Sequence, residues 1–335
     1  MRKALFFLKW PKNNSFVFSI FLAMNVLLAP YCQAQQNWPS QPIRIIVTFT
    51  PGGAPDTLAR ILSEKLQNTL GVPIMVENKP GAGGNIGADY VAKSKPDGYT
   101  LLLGTVGTQT INPYLYTKIP YNAEKDFTPI SFLAATPNLL VVNNQIPAKT
   151  IEELIAYAKS KPGELTFGSS GSGTSIHLSG ELFKVMAGVD MTHIPYKGRA
   201  SSIPDLIGGR ITMIFDNMPS AIPLVKDGSI RAIAVTSLKR SPAAPEIPTI
   251  SESGLEGFNA TSWFALLGPA NLPKPILDKL NLETNRVLDT PEIKERLLKL
   301  GLETNTGSPD QLNGFIKEEA KKWSEVVKKS GAKAE

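Results

Sequence analysis

Three short stretches carry the residue types that could do chemistry: 49-FTPGGAPD-56, 104-GTVGTQT-110 and 168-GSSGSGT-174. Each follows an apolar run, and the first and third open into a helical pattern. Glycine lets a backbone come close to a ligand, and serine and threonine hydroxyls add donors at little steric cost. A helix start presents unpaired N–H groups and the positive end of its dipole. Such loops suit an anion, a carboxylate or a phosphate. Each alone is equally a tight turn with a helix cap; three at corresponding strand ends predict a binding cleft.

Catalytic patterns fail letter by letter. Gly168 to Gly173 has phosphate-loop spacing, but Thr174 stands where that motif needs lysine. A dinucleotide fingerprint started at Gly81 meets Ile86 where its last glycine belongs. A nucleophile elbow opening at Gly168 is broken because Ser172 stands at its fifth place, where the motif needs glycine. A secreted serine hydrolase or transferase would need Ser170 or Ser172 with His177 as base, and it is the competing reading. His177 and His193 are the only histidines, too far apart and without a carboxylate at ligand spacing to hold a metal. No cofactor is expected. Asp56 opens a helix, where an acid favours the dipole or faces a ligand ammonium. Lys197 and Arg199 follow one strand, Asp216 and Asn217 another, each pair a solvated turn or a cleft wall.

The elements that must position these loops alternate. Apolar runs at 43–49, 73–77 and 99–104 are separated by helical patterns at 56–70 and up to about 95. The pattern restarts with strands at 139–143, 165–168, 191–195, 211–215 and 230–236, and helices at 150 onward, 174–187 and 201–207. Thr150 with Glu153 three residues on is a capping box. A strand at 262–268 and three proline-initiated helices at 275–288, 291–300 and 309–329 complete the chain. Buried runs alternating with helices predict parallel sheets flanked by helices. The fold class is α/β, two doubly wound lobes whose strand-end loops face a shared crevice.

Composition narrows the class further. Arg2, Lys3, Lys9 and Lys12 precede an apolar run from Ser15 to Ala29, which reads as a secretory signal peptide. The run is short for a membrane span, which takes roughly 20 apolar residues. Cleavage is expected near Ala34, and Tyr31 is too bulky beside Cys32 for a lipidation site. The leader holds four basic residues and no acidic one, so a formal charge of +6 falls close to neutral once it is removed. That leaves no case for nucleic acid. Cys32 is the only cysteine, so no disulfide framework or thiolate metal site remains.

The segments PIRIIVTFTPGGAPDTLAR, VENKPGAGGNIG, KPDGYTLLLG, FGSSGSGTSIHLSGELF, HIPYKG, IGGRITMIFDN, IRAIAVTS and TSWFALLGPANLPKP, in this order and spacing, resemble the Bug solute receptors of the tripartite tricarboxylate transporter system. The resemblance runs from about Trp38 to Gly331. It implies a type II periplasmic binding-protein fold closing over a small carboxylated solute, with bound waters bridging the ligand. The implied boundaries are a signal peptide at 1–34, lobe 1 at 35–137, lobe 2 at 138–237, and a crossover with C-terminal helices completing lobe 1 at 238–335. The carboxylate would lie on Phe49, Gly52, Gly53, Ala54 and Asp56, helped by Thr105, and on Ser169, Ser170, Ser172, Gly173 and Thr174. His177, Lys197 and Asp216 are implied neighbours. Thr50-Pro51 departs from the two prolines frequent in the family but leaves Gly52 and Gly53 in place. The implied partner is a membrane permease of the tripartite tricarboxylate type, the implied location the periplasm, and the receptor itself a monomer.

Overall fold

The computed structural model describes residues 38–334. The expected signal peptide and its cleavage point lie outside the described residues. The described residues from 39 onward pack as one unit.

The chain begins with β1 (Ile43–Val47), α1 (Ala54–Leu70), β2 (Ile74–Asn78), α2 (Asn85–Ala92) and β3 (Thr100–Thr105). A π-turn over Gly107–Ile111 runs into the short α3 (Asn112–Leu115). Then come β4 (Phe127–Val142), α4 (Ile151–Ser160), β5 (Thr166–Ser169), α5 (Ser175–Ala187) and β6 (Thr192–Pro195). They lead to α6 (Arg199–Ile207), β7 (Met213–Asn217), α7 (Met218–Lys226), β8 (Arg231–Val235) and β9 (Thr261–Pro269). The helices α8 (Lys274–Leu288), α9 (Pro291–Lys299) and α10 (Pro309–Ser330) follow.

Local chemistry explains the boundaries. Helix α1 carries Pro55 in its first turn and stops at Gly71, whose φ of 72° closes the left-handed cap. Thr150 accepts the Glu153 N–H to start α4, and Ser308 with Gln311 forms a full capping box on α10.

The strands run β2-β1-β3-β9-β4-β7-β5-β6, with β8 added beside β4. β1 is parallel to β2 and β3, and β5 is parallel to β6 and β7. The sheet is nevertheless mixed, not parallel throughout as the alternation predicts. β9 runs antiparallel to both β3 and β4, and β4 antiparallel to β7 and β8. β4 is also far longer than the 139–143 strand expected. Its first stretch pairs with β9 from Phe127 to Pro137, and from Asn138 onward it pairs with β7 and β8. One strand therefore threads both halves of the sheet. Pro129 and Pro137 hid it, because proline argues against a central strand. Register shifts near Pro129 and Phe132 help β4 absorb the irregularity.

The core is apolar on both faces. Phe167, Phe183, Phe215, Phe258 and Trp263 are fully buried in one cluster, and Leu139, Ile214 and Met218 centre another. Burying such side chains contributes about 1.5–3 kcal/mol each, which makes the strand ends a fixed platform for the loops.

Candidate functional site

Five helix starts converge on one cavity between the two halves of the sheet. Its wall includes Gly53 and Pro55 at the start of α1, and Val106 and Gly107 at the π-turn. Thr174, Ser175 and Ile176 at α5, Gly198 and Arg199 at α6, and Asn217 and Ser220 at α7 complete the ring. Phe49, Thr50, Thr105, Ser170, Asp216, Ser262 and Phe264 fill the gaps. The space, including its open mouth, is about 560 Å³. The first N–H groups of a helix lack a partner within that helix, and each helix carries the positive end of its dipole at its start.

The first loop is held by Asp56. Its carboxylate accepts from the Gly52 N–H at 3.0 Å, from Arg60 at 3.0 and 2.9 Å, and from Asn78 Nδ2 at 3.0 Å. Burial pushes this carboxyl up, but Arg60, the Gly52 N–H and Asn78 outweigh it and hold it below its ordinary range. Asn78 Nδ2 also donates to the Phe49 carbonyl at 2.9 Å. Asp56 is thus a brace behind the loop, not part of the cavity wall.

The second loop, from Ser169 to Thr174, is braced from within. The Thr174 hydroxyl donates to the Gly171 carbonyl at 2.8 Å and accepts the His177 N–H at 3.2 Å. Its proton is spent inside the loop. The Gly173 N–H donates to His177 Nδ1 at 3.2 Å, and Ser169 Oγ lies 2.7 Å from His193 Nε2. The two imidazoles stack with centroids 3.9 Å apart. Burial lowers both: His193 falls to about 4, and His177 well below its ordinary value. The histidines are therefore neutral struts under the loop.

This loop also crosses to the opposite half. Tyr116 donates to the Ser172 carbonyl at 3.0 Å. A Cβ on Gly83 would come within 2.3 Å of that carbonyl oxygen, and one on Gly107 within 2.6 Å of the Gly173 carbonyl oxygen. Only glycine permits so close an approach. The halves are in contact across the cavity.

Of the residues singled out by sequence, Phe49, Gly53, Thr105, Ser170, Thr174 and Asp216 line the cavity. Gly52, Ala54, Asp56, Ser169, Ser172, Gly173 and His177 shape or brace the two loops without being part of its wall. Lys197 is exposed and stands apart. Its near neighbour Arg199 supplies the cation instead: Nε donates to Asp216 Oδ2 at 2.8 Å, and Nη2 to the Ser220 carbonyl at 2.7 Å. Burial pushes the Asp216 carboxyl above its ordinary range, against the opposing pull of Arg199. A guanidinium cannot shed its proton, so a neutral Asp216 would leave that cation uncompensated; we treat the pair as ionic.

Apart from Asn217, which it paired with Asp216 as a turn or a cleft wall, sequence reasoning missed the floor. Asn217 Nδ2 donates to Asn138 Oδ1 at 2.6 Å and to Ser262 Oγ at 2.8 Å, and Ser262 Oγ bonds Ser175 Oγ. Asn138 marks the point where β4 changes partner, and Ser262 lies on β9. No spacing pattern joins residues 138, 175, 217 and 262; only the pairing of β4 with β9 does.

No cluster of histidine, cysteine, aspartate or glutamate suited to a metal occurs among the described residues, nor does a helix long and apolar enough to cross a membrane. The fold and cleft define an α/β solute-binding protein. Residues 58–332 match the profile of the tripartite tricarboxylate transporter family receptor, and the chain belongs to that family. It is similar to Rpa4515 of R. palustris, solved with adipate, at 39% identity and a TM-score of 0.86, covering 88% of this chain and 99% of that one. The periplasmic binding protein BugD is 36% identical with a TM-score of 0.84, covering 89% and 100%. MatC from Rhodopseudomonas palustris, with bound malate, is 34% identical with a TM-score of 0.82, covering 87% and 100%.

Proposed function

We propose that this receptor captures a small carboxylate in the cavity between the sheet halves and delivers it to a membrane permease of the tripartite tricarboxylate type. The observation that carries this reading is the convergence of five helix starts on one cavity. Their donors and dipoles favour an anion. The adipate and malate bound by the two relatives support the carboxylate class. The two halves act as lobes, about 35–137 with the C-terminal helices and 138–237, which close when ligand is held by both loops. The protein works in the periplasm as a monomer, after removal of its leader.

It acts by binding, without turnover. Ser170 lines the cavity, but Ser172 does not. The Nδ1 of His177 already accepts the Gly173 N–H beneath the loop. That arrangement disfavours a hydrolase built on either serine.

Thermal unfolding against a panel of mono-, di- and tricarboxylates tests the reading, since a ligand of the native state raises its stability by mass action. At least one carboxylate should raise the midpoint in a concentration-dependent way. A panel without any such effect, or hydrolysis of acyl esters by the purified protein, refutes it.

A further inference from the structure

Asp216 is fully buried at the end of β7, forms part of the cavity wall, and is only half satisfied. Its Oδ2 takes the Arg199 Nε–H, whereas Oδ1 is closed off without a hydrogen-bond partner. Arg199 cannot swing to serve both oxygens, because its Nη2 is tied to the Ser220 carbonyl. The other buried orphans near the loops, Thr48 Oγ1 and Asn112 Oδ1, are not part of the cavity wall. A buried acceptor left unpaired is costly, and more so when charged. The cost is recovered whenever the missing donor is delivered.

We infer that Asp216 Oδ1 accepts a hydrogen bond from a hydroxyl or amino group of the ligand, so that the receptor selects substituted small carboxylates over their unsubstituted analogues. This rests on the carboxylate-receptor reading and deepens it. The ligand carboxylate meets the neutral donors of the helix starts. Its second polar group meets the acceptor of an Arg–Asp pair whose net charge is zero. A second carboxylate directed at Oδ1 meets a like charge, while a hydroxyl or ammonium meets a partner. Asp216 is thus a specificity-determining residue, and Arg199 positions it.

Calorimetric titration with matched series decides the matter: succinate, malate and aspartate, and propionate, lactate and alanine. Members of a series differ only at one carbon. In at least one series the hydroxyl or amino member should bind about tenfold or more tightly than the unsubstituted one, the worth of a hydrogen bond to a charged group. The hydroxyl and amino arms tell which donor is preferred. In Asp216→Asn the advantage should collapse to within about threefold while circular dichroism confirms the fold. Equal affinities within every series in the parent protein overturn the inference and assign Oδ1 to a water. A preference that survives in Asp216→Asn overturns it as well. If no member of either series binds while another carboxylate of the panel does, the inference falls and carboxylate capture stands; if nothing in the panel binds, both fall.

Discussion

Replacing Gly173 with alanine should damage binding far more than it damages the fold. Gly173 has a φ of 82°, and a Cβ built on it would lie 1.9 Å from Asn112 Oδ1 and 3.0 Å from its Cγ. Asn112 cannot step aside freely. Its Nδ2 donates to the Gly83 carbonyl at 3.1 Å and to Asn85 Oδ1 at 2.6 Å, and both bonds break if the amide turns away. Two such bonds are worth about 1 kcal/mol each, and the left-handed conformation costs alanine a further 1–2 kcal/mol or so. The second part is present whether the halves are together or apart. The first exists only while the loop is pressed on Asn112, so it is charged to closure. Gly173→Ala should therefore weaken ligand binding by about 2 kcal/mol, roughly thirtyfold, and lower fold stability by only the left-handed part. Gly188→Ala is the control. It has a φ of 61° at the end of α5, with nothing within 4 Å of its Cβ. It should lose the same stability and no affinity. Calorimetric titration with the tightest carboxylate of the panel, paired with denaturant unfolding, reads both quantities. If Gly173→Ala binds as tightly as its parent, the closed contact plays no part in capture. If Gly188→Ala loses as much affinity, the effect is general loosening.

Acid should destabilise the protein through its two histidines. Both are depressed in the folded state, so the stability they confer is full above about pH 6.5 and is lost as pH falls toward the His193 value of about 4. The slope is about 1.4 kcal/mol per pH unit per histidine. Unfolding curves between pH 7.5 and 4.5 should show it, and His193→Gln should flatten it; a parent profile as flat as the variant's contradicts the reasoning. Export should yield a protein starting near Gln35 without lipid, and N-terminal sequencing that finds Met1 or a diacylated Cys32 refutes that expectation.

The loops were legible because glycine and hydroxyl residues at a strand end have few other uses, and their placement between strand and helix follows from hydrophobic periodicity. What each side chain does was not legible. Asp56 sits in a first helical turn, and nothing in sequence says whether it looks toward a ligand or back to Gly52 and Asn78. Lys197 and Arg199 are two residues apart; only the start of α6 at Arg199 turns one into the cavity and leaves the other in solvent. The histidines lie 16 positions apart in sequence, and stack because α5 lies over β5 beside β6. The length of β4 and the antiparallel insertion of β9 depend on partners more than a hundred residues away, which local pattern cannot reveal.

That insertion has a consequence for how the chain matures. β9 lies between β3 and β4, and it is the strand that pairs with β4 from Phe127 to Pro137. Until residue 269 has been synthesised, β3 has one open edge and that stretch of β4 has none closed. Pairings so distant in sequence pay their loop-closure entropy late and make folding slow. If the chain is exported as proposed, this delay suits it, because the part already made cannot lock into a finished sheet before the rest arrives. The same delay exposes bare strand edges, so shortened chains that end before Thr261 are the forms of this protein most prone to clump.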